Sequence, residues 1–257
     1  MPAPHLIHVA AAFGSAFLAG AMNSIAGGGT LVTFPTLIWL GLQSVTANAT
    51  STVAIWPAGL GSMWAYRREM RTTEPYILAL AAPSLLGGLT GALLLRRTPP
   101  TVFDALVPYL VLFATLLFMA QGAFQRLLRT ADVSSHKSRR WLAGAIVFQL
   151  FVGIYGGYFG AGIGIFMLAA LGILGLTDIH QMNGLKVLFG GCINGIASLY
   201  FIWANMVYWP DVLLMAIAAI LGGYGGAGMA RRIGQTAVRR IVVATGFAMT
   251  LSLFIKR

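Results

Sequence analysis

Ala26-Gly27-Gly28-Gly29-Thr30 and its distant echo Gly160-Ala161-Gly162-Ile163-Gly164 decide how the rest of this chain is read. Each interrupts an apolar run: residues 5–25 precede the first and 31–42 follow it, while 141–159 precede the second and 165–176 follow it. Small residues in a row are unfavourable inside a helix, because glycine loses the most backbone entropy on folding. In lipid such a break survives only where it is buried in protein or lines a wet cavity, since the freed N–H and C=O groups need partners. Matching breaks in the two halves of a chain are a sequence pointer to the binding site of a transporter. The competing reading is that these glycines only let helices pack closely.

Composition narrows the class. Of 257 residues, 58% are hydrophobic and 9% charged, with a mean hydropathy of +0.81. A water-soluble domain carries roughly 25% charged residues, so this chain has too few to cover a water-facing surface. The expected fold class is an all-α polytopic membrane protein, its partner the lipid bilayer. The net charge of +11 does not imply nucleic acid, because the basic residues cluster between apolar runs as cytoplasmic loops do. Cys192 is the single cysteine, which excludes an intramolecular disulfide and a cysteine-based metal site. No basic stretch precedes the first apolar segment, so a cleavable signal peptide is not expected.

Set against the roughly 20 residues needed to span a bilayer, the apolar runs give eight long or broken segments. They are 5–26 continuing to 42, 47–66, 75–95, 101–121, 141–162 continuing to 176, 182–204, 210–230 and 237–255. The second half echoes the first. Pro75 and Pro210 stand 135 residues apart; at that offset Gly87 and Gly88 meet Gly222 and Gly223, Gly91 meets Gly226, Arg96-Arg97 meets Arg231-Arg232, and Asn48 meets Asn183. Gly20 and Gly153, and Gly27 and Gly160, match at 133. A shared register of this kind points to duplication. It divides the chain into a first transmembrane repeat over 1–124, a polar cytoplasmic linker over 125–140 and a second repeat over 141–257.

Basic residues set the orientation. Arg67, Arg68 and Arg71 mark one loop, Arg126, Arg129, Lys137, Arg139 and Arg140 the linker, and Arg231, Arg232, Arg239 and Arg240 a third. With all three loops cytoplasmic, each Gly break becomes a broken or re-entrant helix, and the two halves are inverted structural repeats. Arg96-Arg97 and Lys256-Arg257 then fall outside, against that reading.

Lys186 is the informative charge. It stands within the apolar run 183–203, away from the basic loops, and an ionisable residue at membrane depth marks a functional site by default. The alternative is that its long stem snorkels to the interface. Asn183, Lys186, Gly190 and Asn194 recur at steps of three, four and four, which puts a cation, two amides and a gap on one helix face. The matching helix offers Asn48, Thr50, Ser51 and Thr52. With backbone amides of Gly27, Gly28, Gly29, Thr30, Gly160, Ala161 and Gly162, these make a donor-rich cationic pocket for a small anion. Asn23 and Ser24 are expected to hydrogen-bond across helices or to freed carbonyls, and Asp178 and His180 to cap the helix carrying Lys186. Neither catalytic residue sets nor metal-spaced ligands are visible, so no enzyme, cofactor or metal is implied.

The run Ala-Gly-Gly-Gly-Thr-Leu-Val-Thr-Phe-Pro-Thr-Leu (26–37), followed by Ala-Asn-Ala-Thr-Ser-Thr-Val-Ala (47–54), resembles the first repeat of the sulfite exporter (TauE/SafE) family. Gly-Ala-Gly-Ile-Gly (160–164) leading to Met-Asn-Gly-Leu-Lys-Val (182–187) is similar to its second repeat. The resemblance implies a carrier in the bacterial inner membrane that moves sulfite, an organosulfonate or a related small anion, driven by an ion gradient. Other readings are an anion channel and a transporter of small carboxylates. Proton or sodium as coupling ion, the direction of transport and oligomeric assembly all stay open.

Overall fold

The computed structural model describes residues 3–25, 28–65, 78–130, 139–174, 176, 178–226 and 235–255. They form ten α-helices: α1 Ala3–Ile25, α2 Thr30–Trp39, α3 Ser44–Ala65, α4 Ala81–Arg97, α5 Pro100–Thr130, α6 Arg139–Tyr158, α7 Ile163–Ile173, α8 Ile179–Trp203, α9 Trp209–Leu221 and α10 Gln235–Ile255. A π-helical turn, Gly222–Gly226, follows α9. Among the described residues there is no strand. His5–Asn23, Pro100–Ala120 and Gln181–Trp203 are long and apolar enough to cross a membrane, and α2, α7 and α9 are shorter apolar pieces. Large apolar side chains such as Leu86, Phe151, Leu213 and Ile217 are exposed, as lipid-facing positions require.

Both expected breaks are present. The first apolar run splits into α1 and α2, with Gly28 at φ +89°; the second splits into α6 and α7, with Gly160 and Gly162 at +80° and +81°. Those backbone angles disfavour every residue with a Cβ. Ala161, between the two left-handed glycines, does not share that geometry, which is why alanine is tolerated there. The basic loop at 67–71, Pro75, the middle half of the linker (131–138), Arg231-Arg232 and Lys256-Arg257 lie outside the described residues. One helix differs from its apolar run: α5 continues to Thr130 rather than ending near 121. Gln121, Ala123, Gln125, Arg126, Leu127 and Leu128 favour helix, and a helix need not stop where its apolar stretch does.

The halves exchange partners. Helix α1 lies on α9, and α6, which holds the matching place in the second half, lies on α4. Likewise α3 packs on α9 as α8 packs on α4, α2 on α3 as α7 on α8, and α10 on α2 as α5 on α7. The α4–α6 and α1–α9 seams are built from backbone against backbone. A Cβ at Gly157 would overlap the Gly88 carbonyl, one at Gly91 the Ile154 carbonyl, and one at Gly222 the Phe17 carbonyl. Small residues let helices approach this closely, which drives association in lipid where no hydrophobic effect acts between helices. Two polar contacts reinforce the seams. Gln149 donates to Ser84 Oγ at 2.8 Å, and His8 Nε2 stands 2.8 Å from Asp211 Oδ1.

Two pairs of matching helices, α3 with α8 and α5 with α10, pack against each other running in opposite directions. Met63 in α3 lies at Gly191 in α8, Trp56 at Gly191 and Gly195, and Thr50 accepts the N–H of Tyr208 beyond the end of α8. In α5, Thr115 lies at Gly246 of α10, while Tyr109 stacks edge-on to Phe254 at 5.5 Å. Thr115 and Thr250 are matching residues at the same offset of 135, and each hydroxyl donates to the carbonyl four residues before it.

Candidate functional site

A cavity of about 120 Å³ opens between the two breaks and the crossing of α3 and α8. Glycine backbone makes up a large part of its wall. Gly28, Gly59, Gly160, Gly162, Gly164, Gly190 and Gly191 all line it, and a glycine has only main-chain atoms to present. Ile55, Trp56, Ile163, Met167 and Val187 add apolar surface, and Asn23, Thr30, Asn194 and Lys186 bring polar groups. Lys186 is the one charged side chain among the described lining residues.

The Lys186 stem crosses over α7, with its Cδ 3.1 Å from where a Cβ of residue 164 would stand, so Gly164 gives it room. Its ammonium donates to Asn183 Oδ1 at 2.9 Å. Among the described residues no carboxylate lies within ion-pair distance of it. An ammonium has three donors; one is used here, and two remain for a solute.

The break backbones are largely satisfied from within. Asn23 Oδ1 accepts the Gly29 N–H at 3.0 Å, so Asn23 serves a freed amide rather than a freed carbonyl. The Tyr155 hydroxyl donates to the Ala161 carbonyl at 2.8 Å, and Asn48 Nδ2 to the Tyr158 carbonyl at 2.9 Å. These bonds hold non-helical backbone open inside the protein, as membrane depth demands.

Of the residues singled out in the sequence, Gly28, Thr30, Gly160, Gly162, Lys186 and Asn194 meet at the cavity. Gly190, on the same helix face, joins them. Asn183 stands behind Lys186 as its hydrogen-bond acceptor. Gly29 and Ala161 are engaged by Asn23 and Tyr155. Ser51 Oγ lies 2.6 Å from Thr33 Oγ1, Thr52 donates to the Asn48 carbonyl within its own helix, and Asn48 turns to Tyr158; none of the three lines the cavity. Gly27 lies outside the described residues. Asp178 immediately precedes α8, where its carbonyl accepts the Met182 N–H. Sequence reading missed Trp56, Ile55 and Gly59. A signal existed for two of them: at the offset of 135 Ile55 and Gly59 match Gly190 and Asn194, on the face that carries Lys186, while Trp56 matches Gly191 beside it.

Broken apolar helices around a small cavity that holds one lysine are the build of an all-α membrane protein. The chain belongs to the sulfite exporter TauE/SafE family, whose model matches residues 12–253. It is 28% identical to a "Probable membrane transporter protein" of Haemophilus influenzae, over 91% of this chain and 89% of that one. It is 27% identical to "Probable membrane transporter protein ORF9" of Sinorhizobium sp, covering 94% and 90% of the two chains. The figure is 26% for "Probable membrane transporter protein YfcA" of Escherichia coli K12, covering 93% and 86%. No solved structure matches.

Proposed function

We propose that this protein is a secondary transporter of a small sulfur-containing anion, sulfite or an organosulfonate, across the bacterial inner membrane. The observation that carries the reading is Lys186, the one cation among the described residues lining the cavity, held against glycine backbone between the two halves. A volume of about 120 Å³ is several times the roughly 15 Å³ that one water needs and falls short of the roughly 300 Å³ at which drug-sized pockets begin. That range suits an anion of a few heavy atoms. The family description supports sulfur oxyanions as the class.

Opposite running of α3 and α8, and of α5 and α10, supports an inverted repeat when combined with basic loops on one side. In that arrangement the broken helices meet near the midplane, and alternating access exposes the cavity to either side in turn. An ion gradient drives the cycle.

The test is a thermal-shift screen of the purified protein against sulfite, sulfate, thiosulfate, sulfoacetate and carboxylate analogues, followed by liposome uptake of the best ligand. Stabilisation by a sulfur oxyanion and saturable uptake are expected. Stabilisation by carboxylates alone moves the substrate class, and flux that does not saturate replaces the carrier with a channel.

A further inference from the structure

Asp211 stands apart from the other acidic residues. Asp104 and Asp178 are exposed, whereas Asp211 is the one buried carboxylate among the described residues. It lies in the first turn of α9, where the helix dipole favours negative charge, yet its two oxygens are treated differently. Oδ1 meets His8 Nε2 of α1 at 2.8 Å, and Oδ2 is buried with no hydrogen-bond partner. The contact joins the two halves, since α1 opens the first and α9 belongs to the second.

Counting protons on the pair shows what it can bind. With one proton fewer, the imidazole donates its Nε2–H to an ionised carboxylate, and the pair carries a net negative charge. With one proton more the pair is neutral, either as imidazolium and carboxylate or as imidazole and carboxylic acid. Buried charge without compensation is strongly unfavourable, so a proton is the ligand that suits this place. It needs no cavity, because it adds to a bond that already exists.

The surroundings leave that proton to these two residues. Histidine is the side chain whose charge ordinarily changes between about pH 5 and 8. The His8 side chain is 31% exposed, which gives a proton a route from outside the fold to the buried oxygen. Besides each other, α1 and α9 pack on α2, α3 and the π-helical turn, and none of the described residues there is Lys, Arg, Asp, Glu or His. The other titratable groups on or beside these elements are His5, Tyr208 and Tyr224, all exposed.

Histidine and acidic side chains inside membrane segments serve as proton relays in transporters. We propose that His8 and Asp211 form a proton-binding site between the two halves, the point at which a proton gradient acts on the carrier. Its part in coupling rests on the transporter reading above; its binding of a proton does not.

The experiment follows melting of the purified full-length chain in detergent from about pH 5 to about pH 8, for the wild type, Asp211→Asn and His8→Gln. Each variant keeps a hydrogen-bonding group and loses the proton site. The proton stabilises the folded wild type at low pH and is lost as pH rises. The lead of the wild type over each variant should therefore fall by about 2–4 °C across that range. His5→Gln should keep the pH dependence of the wild type. His8→Gln carries the test if Asp211→Asn is not monodisperse. A lead that stays constant with pH marks a plain polar contact and overturns the site, as does loss of the pH dependence in His5→Gln.

For coupling, liposomes are given labelled sulfite under an imposed pH difference of either sign. The wild type should accumulate it, and Asp211→Asn should exchange it without accumulation. Accumulation by Asp211→Asn at the wild-type level, or exchange without accumulation by the wild type, overturns the coupling role. A wild type that moves no sulfite sinks the transporter reading above, and the melting series then judges the proton site by itself.

Discussion

Trp56 and Gly191 occupy matching places in the two halves, 135 residues apart, and touch: the indole Nε1 of Trp56 donates to the Gly191 carbonyl at 3.2 Å. The contact lies where α3 crosses α8. Both residues also line the cavity, so that crossing stands at the candidate binding site. The indole is packed hard there, 3.1 Å from where a Cβ of Gly195 would stand.

Trp56→Phe retains a ring and removes the donor. The Gly191 carbonyl keeps its place in the ladder of α8, so the loss should sit at the low end for one hydrogen bond, about 0.5–1 kcal/mol. Denaturant unfolding in detergent measures it. Trp56→Ala removes a half-buried ring and should cost distinctly more, about 3 kcal/mol, the low end for a large aromatic; equal effects from the two variants would mean that the ring is not packed as described.

The α4–α6 seam makes a sharp contrast between two glycines. Gly91→Ala drives a methyl into the backbone of Ile154 and Gly157 and should destabilise by about 1–3 kcal/mol. Gly144→Ala, on the same seam's helix α6 but with nothing within 4 Å, should be neutral or gain up to about 1 kcal/mol of helix propensity. The two melting temperatures compared side by side decide whether this interface exists as described.

Gly28 holds φ +89°, and a Cβ there would stand 2.9 Å from Phe118. Gly28→Leu should therefore abolish transport while the protein still inserts in the membrane. Transport at the wild-type rate would leave the first break with no part in the site.

Lys186→Gln should weaken anion binding by about 1.5–3 kcal/mol, the usual worth of a hydrogen bond to a charged group and roughly ten- to a hundredfold in affinity. Lys186→Arg should restore only part of this, because a planar guanidinium does not fit the space that Gly164 leaves for a slender stem. Calorimetry at matched salt reads both. Three equal affinities would remove Lys186 from the site.

Single cysteines at Ser134 and Gln235, introduced after Cys192→Ser, should both resist labelling by a membrane-impermeant maleimide in intact cells. The charge bias places both on the cytoplasmic side. Free reaction of either would falsify the inverted topology.

The breaks, the offset of 135 and the Lys186 face of α8 were legible because each depends on local chemistry: glycine conformation, repeated spacing, a charge among apolar residues. The α3 contribution was not. Its Asn48, Ser51 and Thr52 look like site donors in sequence, yet each finds its partner elsewhere: Tyr158 lies 110 residues away in the chain, Thr33 in the neighbouring helix, and the Asn48 carbonyl one turn back. Hydrogen-bond partners across helices are set by packing, and sequence carries no record of them. Trp56 was missed for a related reason. A tryptophan in an apolar run is equally at home at the membrane interface, and only the crossing of α3 with α8 gives this one an interior carbonyl.

The exchanged seams also bear on how the molecule is assembled. Helix α1 also touches α2 and α3, but the helix it chiefly rests on, α9, begins only at Trp209, so that neighbour is synthesised much later than α1. Until then its small-residue groove is covered by lipid, which a bilayer permits because tails are as apolar as side chains. Neither half carries the partner for its own opening helix: residues 1–124 lack α9, and 141–257 lack α4. Two such fragments expressed separately have a physical reason to find one another, since each holds the surface the other is missing.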